Sequence, residues 1–158
     1  MRFLVQRVAH GEVRVDGAIV GTITRGLVVL VGVGRTDRPQ VADRMLEKLL
    51  GLRIFPDQDG KMNRSVVDMQ GELLLISQFT LYADCCRGRR PAFTSAAPPD
   101  QASDLFAYCV RQASASGLHT QTGIFAADMQ VTLTNDGPVT LLLDSDELGF
   151  GRDGSQTG

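Results

Sequence analysis

Apolar and polar positions alternate along the first part of the chain and predict a β-hairpin. Between residues 3 and 23 the alternation runs on both sides of Asp16-Gly17, a dipeptide that tolerates the positive φ angles of a tight hairpin turn. An uninterrupted apolar run at positions 26–33 follows. It is too short to cross a bilayer, so it predicts a buried strand.

Two longer segments repeat their apolar residues three or four positions apart, the spacing of one helix face. For the first helix, Asp37 is the predicted cap and Gly51 marks the C-terminal end. The second helix is predicted over residues 98–116 and stops at Gly117. The periodic positions are Val41, Met45, Leu49 and Leu52 in the first helix, and Leu105, Phe106, Cys109, Val110 and Ala113 in the second.

The remaining apolar segments predict further strands. A short one at 52–55 leads into a polar loop, and the strongly apolar segment 72–79 is predicted to be central in the sheet. Two strands near 119–125 and 129–134 are followed by a turn at Asn135-Asp136-Gly137-Pro138 and a last strand at 139–143. Strands and helices alternate in only part of this order, so the prediction is a mixed α+β fold.

The domain organisation is predicted to be simple. With 158 residues the chain can bury a core without disulfides or metals, and it shows neither an internal repeat nor a linker. Residues 1–144 are predicted to form one domain. The Gly-, Asp- and Ser-rich residues 145–158 are predicted to be a flexible C-terminal tail.

Composition and charge narrow the class of protein. Hydrophobic residues make up 43% and charged residues 22% of the chain, the balance of a soluble globular protein without a membrane span. A net charge of -2 argues against indiscriminate nucleic-acid binding but permits a local basic patch. The odd number of cysteines, with Cys85 and Cys86 adjacent, suits a reducing compartment. The N-terminus lacks a signal-peptide pattern, so a cytoplasmic protein is expected.

Side chains for acid–base or metal chemistry are scarce. His10 and His119 are the only histidines, and both fall in strand-like segments, so no nucleophile–histidine triad can be assigned. The sequence has no Cys-x-x-Cys, no His-x-x-x-His and no acidic calcium-binding loop. Neither a metal nor any other cofactor is therefore predicted.

Two polar segments are candidates for a site, although each also has an ordinary structural interpretation. Arg87, Arg89 and Arg90 lie within four residues and either hold phosphates or form a solvated charged loop. Ser77-Gln78-Phe79-Thr80 ends the most apolar strand, where polar residues form a site or only satisfy backbone groups. Strand alternation would place Ser77 and Phe79 on one face and Gln78 and Thr80 on the other.

Several motifs, taken in order, resemble the bacterial and eukaryotic D-aminoacyl-tRNA deacylase family from Met1 to about Asp144. They are Val5-Gln6-Arg7-Val8, Leu52-Arg53-Ile54-Phe55, Gly60-Lys61-Met62-Asn63, Ser77-Gln78-Phe79-Thr80-Leu81, Arg90-Pro91-Ala92-Phe93 and Asn135-Asp136-Gly137-Pro138-Val139-Thr140. The resemblance implies β/β/α layers with both helices on one side. It also implies a homodimer that cleaves the ester of D-aminoacyl-tRNA and releases D-amino acid and free tRNA, while activity on glycyl-tRNA stays open.

The resemblance also implies roles for particular residues. Ser77, Gln78 and Phe79 would line the aminoacyl-adenosine pocket, with the Phe79 and Thr80 amides facing the oxyanion. The 2'-hydroxyl of the terminal ribose would assist, so no side-chain nucleophile is needed. The adenine would lie on Phe125 and Met129. A cis bond between Gly137 and Pro138 would enter the partner subunit's pocket and reject L-amino acids, with Arg7 reaching across the dimer to hold it. Arg87, Arg89 and Arg90 would contact tRNA phosphates.

Three other functions stay open at this stage. A hydrolase with Thr80 or Ser77 as nucleophile would form a covalent ester. An RNA-binding module would bind tRNA through the arginine loop without cleaving it. A related deacylase with relaxed chirality would accept both D- and L-amino acids. Ser77-Gln78-Phe79 resembles the D-specific pattern more closely.

Overall fold

Eight strands and two α-helices form the part of the chain that the computed structural model describes, residues 1–151. The strands are β1 (Arg2–Val15), β2 (Ala18–Ile23), β3 (Gly26–Gly32), β4 (Phe55–Pro56), β5 (Met62–Arg64), β6 (Glu72–Ser77), β7 (Thr120–Thr122) and β8 (Gln130–Asp144). The helices are α1 (Pro39–Gly51) and α2 (Pro99–Ala115), and a 3₁₀ helix spans Phe79–Tyr82. The predicted α+β class is confirmed.

The N-terminal hairpin has the predicted turn. Val15 pairs with Ala18, and the two residues between them have φ angles of 49° at Asp16 and 78° at Gly17. Two successive positive φ angles are those of the turn whose twist matches antiparallel strands. This prediction from the sequence is confirmed.

The main sheet is mixed, in the order β2-β1-β3-β6-β7, with β8 along β1. Strand β1 runs antiparallel to β2, β3 and β8, whereas β6 runs parallel to β3 and β7. The register of β1 shifts between Val8 and His10, and beyond that point the strand pairs with β2 instead of β3. Val13 from this second half of β1 and Ile23 from β2 pack on Val28, Leu74 and Ile76. The sheet therefore folds over itself into two β layers.

Both helices cover the opposite face of the sheet. Buried side chains of α1, including Met45 and Leu49, and of α2, including Phe106 and Cys109, form one core with the strands. Burying each large apolar side chain contributes about 1.5–3 kcal/mol, so this face holds the helices without disulfides. The β/β/α arrangement with the helices on one side is confirmed. Within the described residues, no helix is long and apolar enough to cross a membrane.

The predicted cap of α1 is wrong. The N-cap position is Arg38, whose side chain makes no capping hydrogen bond, and proline occupies the first turn of the helix. The Asp37 carboxylate instead accepts hydrogen bonds from the Met1 ammonium at 2.6 Å and from the Gly34 amide at 2.6 Å. A buried ammonium is a stronger donor than a helix amide, which accounts for the different partner.

The two strands predicted at the C-terminus are one strand with a protrusion. In the pairing of β8 with β1, Val8 faces Asn135 and Gln6 faces Thr140. Four residues of β8, 136–139, therefore stand opposite the single residue Arg7. The Asn135 side chain closes their base, because its Oδ1 accepts from the Val139 amide at 2.7 Å and its Nδ2 donates to Thr140 Oγ1 at 2.8 Å. The predicted turn is thus a large bulge.

Two further segments differ from the prediction. The polar loop after residue 55 contains a small hairpin, β4–β5. Residues 145–151, predicted as the start of a tail, pack on the domain: Ser145 is buried and donates from its amide to the Met1 carbonyl at 2.9 Å, and the Phe150 ring lies 4.2 Å from the Arg44 guanidinium. Positions 152–158 of the predicted tail lie outside the described residues.

Candidate active site

A pocket of ≈ 670 Å³ opens where the C-terminal ends of β3 and β6 meet the start of α2 and the segment 125–131. Five of the residues assigned to the site from the sequence line it: Ser77, Gln78, Phe79, Phe125 and Met129. The other lining residues are Val31, Val33, Arg35, Ile76, Phe93, Ala96, Ala97, Pro98, Pro99, Ala102, Phe106, Ala126, Ala127 and Val131. The wall is therefore largely apolar.

The polar edge of this pocket is set by the end of β6. The Gln78 amide donates to Val31 O at 2.8 Å, which continues the parallel pairing of β6 with β3 by one residue. The chain then turns into the 3₁₀ helix, so the predicted strand alternation beyond Ser77 is wrong. Gln78 and Thr80, which were predicted to share one strand face, are in contact across this turn, because Gln78 Nε2 donates directly to Thr80 Oγ1.

Two backbone N–H groups at this turn have no hydrogen-bond partner in the part of the chain that the structure describes. The first amides of a helix have no partner within it, and among the described residues no hydrogen bond uses the amides of Phe79 or Thr80. The next amides are engaged, with Leu81 N donating to Gln78 O at 3.3 Å. Adjacent unpaired donors beside a pocket can stabilise a negative oxygen.

Arg2 anchors the turn that contains the 3₁₀ helix. Its Nη1 donates to Leu81 O at 2.8 Å and its Nε to Asp144 Oδ2 at 2.7 Å, while the guanidinium carbon lies 4.6 Å from the centre of the Tyr82 ring. Burial alone would raise the pKa of the Asp144 carboxyl, but the Asp146 amide and Arg2 outweigh it and hold this pKa below its ordinary value. Burial raises the pKa of the Tyr82 hydroxyl. Arg2 and Asp144 thus stay charged and hold the turn.

Aromatic rings form the walls beside this polar edge. Phe79 is 57% exposed, and its ring meets the Phe93 ring edge-on, with centroids 4.9 Å apart. On the other side, Phe125 lies 6.3 Å from Phe106 between ring centroids. Flat apolar walls of this kind accept a planar ring.

Side-chain acid–base chemistry is scarce in the pocket. None of its lining residues is a histidine or a carboxylate, and Thr80 is exposed and not part of the lining. A hydroxyl nucleophile at Ser77 or Thr80 would therefore lack a neighbouring base. Across the described residues, no group of three or more His, Cys, Asp or Glu side chains could hold a metal ion.

Sequence reasoning missed several lining residues. Phe93 belongs to a motif that carries the resemblance, Arg90-Pro91-Ala92-Phe93, and that motif was the available signal. Ala96, Ala97 and Pro98 offered none, because small apolar residues carry no chemistry of their own. They line the pocket because Gly34 bridges to Ala96 and Ala97 N donates to Val33 O at 2.9 Å, which ties this segment to the end of β3.

Arg7 lies apart from the pocket, under the bulge of β8. It is only 9% exposed, and it donates from Nη1 to Ile54 O at 2.6 Å and from Nε to Asp136 O at 2.8 Å. Arg7 therefore holds the bulge of its own chain. The expectation that Arg7 reaches across a dimer stays a prediction, since both of these hydrogen bonds lie within one chain.

The bulge itself presents Gly137 and Pro138 to solvent. The peptide bond between them is cis, as the resemblance implies, and Gly137 has a φ of 135°. Both residues are exposed, and neither lines the pocket of the same chain.

The arginine loop leaves and re-enters the fold beside the pocket. It follows the 3₁₀ helix, and a bridge between Asp84 and Ala92 closes its base immediately before Phe93. Arg87, Arg89 and Arg90 are exposed on it and do not line the pocket. Cys85 and Cys86 are exposed free thiols, and the hydrogen bond and charge of Asp84 raise the pKa of the Cys86 thiol.

Sequence comparisons give a consistent result over nearly the whole chain. The family model of D-Tyr-tRNA(Tyr) deacylase matches residues 4–144. The chain is 54% identical over 147 residues to the D-aminoacyl-tRNA deacylase of Desulfitobacterium hafniense (strain DSM 10664 / DCB-2), covering 93% of this chain and 99% of the relative. It is 57% identical over 145 residues to the D-aminoacyl-tRNA deacylase of Kosmotoga olearia, covering 92% and 97%.

Solved structures agree with this fold. A c-Myc DNA unwinding element binding protein superposes with a TM-score of 0.86 at 38% identity, covering 91% of this chain and 98% of that one. A probable eukaryotic D-amino acid tRNA deacylase superposes with a TM-score of 0.78 over 90% of this chain and 97% of that one, at 17% identity. The second likeness concerns the fold alone.

Proposed function

This chain belongs to the D-Tyr-tRNA(Tyr) deacylase family and is a D-aminoacyl-tRNA deacylase, a hydrolase whose substrate is tRNA, and we propose that it works without a side-chain nucleophile. The observation that carries the proposal is that the Phe79 and Thr80 amides, beside a pocket whose lining has no histidine or carboxylate, have no hydrogen-bond partner among the described residues. Positioned donors and the RNA itself then supply the catalysis.

In the proposed reaction, water adds to the ester carbonyl carbon. The carbonyl oxygen takes the negative charge and accepts hydrogen bonds from the Phe79 and Thr80 amides, which need no reorganisation. Collapse of this intermediate breaks the bond to the 3'-oxygen of the ribose. That oxygen takes up the proton released by the water, relayed through the neighbouring 2'-hydroxyl, so free tRNA and D-amino acid leave.

The aminoacyl-adenosine end of the tRNA is proposed to fill the pocket. Ser77, Gln78 and Phe79 would contact the aminoacyl group, and the adenine would lie on Phe125 and Met129. The aromatic and thioether surfaces there support this placement, since they offer flat, polarisable contacts to a base. Hydrolysis of D-tyrosyl-tRNA and L-tyrosyl-tRNA by the purified protein tests the function, and equal rates on both would contradict D-selectivity.

A first prediction distinguishes a catalytic role of the Thr80 backbone amide from one of the Thr80 hydroxyl. Replacing Thr80 with Ala keeps the backbone N–H, so we expect kcat for D-tyrosyl-tRNA to stay within about threefold of the unmodified enzyme, far from the about 10²-fold loss expected when an oxyanion donor is removed. Thr24→Ala, at another exposed threonine, is the matched control. Background hydrolysis by folded Thr80→Ala protein, with Thr24→Ala active, would instead favour a Thr80 nucleophile.

Chiral selection is proposed to come from a second copy of the chain. Gly137 and Pro138 are exposed and absent from the lining of their own pocket, so they could meet substrate only in another subunit's pocket. There, main-chain atoms of the bulge would leave no room for an L side chain. Sedimentation analysis tests the homodimer, and a monomer with full D-selectivity would contradict this assignment.

Strand β8 supports such a homodimer. Among the described strands it pairs only with β1, so one edge of it stays open, and it exposes Val131 and Leu142 at 39% and 54%. Apolar side chains along an open edge are typical of an interface.

A filter of this kind has a consequence for glycine. Glycine has no side chain, so a barrier against the L side chain cannot exclude it. We therefore propose that glycyl-tRNA is also cleaved. The reaction is proposed to take place in the cytoplasm, where aminoacyl-tRNA is made and used.

The arginine loop supports an interaction with the tRNA backbone, and a second prediction follows from it. Replacing Arg87, Arg89 and Arg90 together with Gln should weaken tRNA binding. It should also reduce the salt dependence of binding by about one unit of logarithmic slope for each phosphate that the loop no longer neutralises. Binding is measured by titration at several salt concentrations. An unchanged slope would mean that the loop is only a solvated surface.

A further inference from the structure

Arg35 is the one charged side chain among the residues that line the pocket. The other lining residues are apolar or carry uncharged amide and hydroxyl groups. A single cation at the edge of an apolar pocket fixes where an anionic part of a ligand can lie. The position of Arg35 therefore indicates where a negatively charged group of the substrate can lie, which the uncharged aromatic walls do not.

The backbone of Arg35 is held rigidly at this edge. Its amide donates to Ser95 O at 3.2 Å, and its carbonyl accepts from Gln101 Nε2 at 3.0 Å. The side chain is held as well, because Nε donates to Thr94 O. The same segment supplies Phe93 and Ala96 to the pocket wall. The guanidinium thus has a defined place beside the pocket.

The rest of the Arg35 guanidinium makes no ion pair with any residue that the structure describes. None of the ion pairs among the described residues includes Arg35, and its two terminal nitrogens take no part in the hydrogen bonds between those residues. The residue is exposed. Two parallel N–H donors of this kind match the oxygens of a phosphate group.

We propose that Arg35 binds the phosphodiester on the 5' side of the terminal adenosine and thereby sets the depth to which the tRNA end enters the pocket. This inference rests on the proposed function, in which the aminoacyl-adenosine fills the pocket. Base, ribose and ester carry no negative charge there, so the 5'-phosphodiester is the anion of that nucleotide. Arg87, Arg89 and Arg90 lie outside the lining and would contact other phosphates.

The test compares two small substrates: adenosine carrying a D-tyrosyl ester on its 3'-oxygen, with and without a 5'-phosphate. The unmodified enzyme should hydrolyse the phosphorylated ester with a kcat/KM about tenfold higher, the effect of one charge-assisted hydrogen bond. Arg35→Gln should abolish that preference, so that its kcat/KM values for the two esters become equal. Arg111→Gln removes an equal charge from exposed α2 surface outside the pocket and should keep the preference.

The outcomes are distinguishable. Failure of the unmodified enzyme to cleave D-tyrosyl-tRNA would refute the proposed function. Cleavage of D-tyrosyl-tRNA with equal rates on the two small esters would refute the role of Arg35 alone, and that measurement needs no variant. A phosphate preference retained in Arg35→Gln would refute it as well.

Discussion

Replacing Gly137 with Ala is expected to reduce the preference for D-tyrosyl-tRNA over L-tyrosyl-tRNA by about 10²-fold, because a displacement of about 1 Å in a positioning group costs that much. A β-carbon there would lie 2.8 Å from Arg7 Nη2 and 2.9 Å from Val139 Cγ2. Arg7 cannot retreat easily, since its other donors are bonded to Ile54 O and Asp136 O. The bulge must therefore shift, and selectivity with it.

The matched control is Gly17→Ala. Gly17 also has a positive φ, 78°, but nothing lies within 4 Å of an added β-carbon and it belongs to the hairpin turn far along the chain. Both variants should lose about 1–2 kcal/mol of stability from the left-handed backbone, whereas only Gly137→Ala should lose selectivity. Initial deacylation rates on the two substrates give the ratio. An unchanged ratio in folded Gly137→Ala would refute the assignment of the bulge as the chiral filter.

Gly26→Ala should have the largest effect on stability, a loss of more than about 4 kcal/mol. Gly26 pairs with Glu72 where β3 and β6 run parallel. An added β-carbon would overlap the Glu72 carbonyl oxygen and lie 2.6 Å from Glu72 N. These are backbone atoms, so no rotamer change relieves the overlap, and the two strands that lead to the pocket would have to separate.

Gly51→Ala provides the contrast. Gly51 ends α1 with open space around an added β-carbon, and alanine there should be neutral or stabilise by about 0.5–1 kcal/mol. Because the chain has no tryptophan, urea unfolding is best followed by circular dichroism at a fixed protein concentration. Equal stability of Gly26→Ala and the unmodified protein would contradict the close packing of β3 against β6.

Local sequence signals were sufficient for elements whose hydrogen bonds are local. Asp16-Gly17 specified the hairpin, and the three-to-four-residue spacing of apolar positions specified both helices, because turn chemistry and helix faces depend on neighbouring residues. The end of β8 is different. Asn135-Asp136-Gly137-Pro138 has the composition of a turn whether the chain reverses or bulges, and pairing with β1, distant in sequence, decides between them.

The candidate site likewise contains residues that the sequence could predict and residues that only the fold brings to it. Ser77, Gln78, Phe79, Phe125 and Met129 were assigned through the resemblance to the family, and the fold brings them to one pocket. Arg35 and the 96–99 segment carried no such signal, because their proximity arises from the bridge between Gly34 and Ala96. Arg7 shows the converse: its residue type was informative, but only the packing shows that it bonds to Ile54 and Asp136 of its own chain.

The pairing of β1 with β8 also determines when the molecule becomes complete during folding. Arg2 bonds to Asp144 across 142 residues of chain, so closing this ladder carries the entropy cost of a very long loop. Contacts so distant in sequence slow folding. During synthesis β1 emerges first and its outer edge waits, unpaired and open to association with other chains, until residues 130–144 have left the ribosome. The bulge at Gly137 arrives with that last strand, so an incomplete chain has part of the pocket wall but lacks the bulge that we propose as the chiral filter.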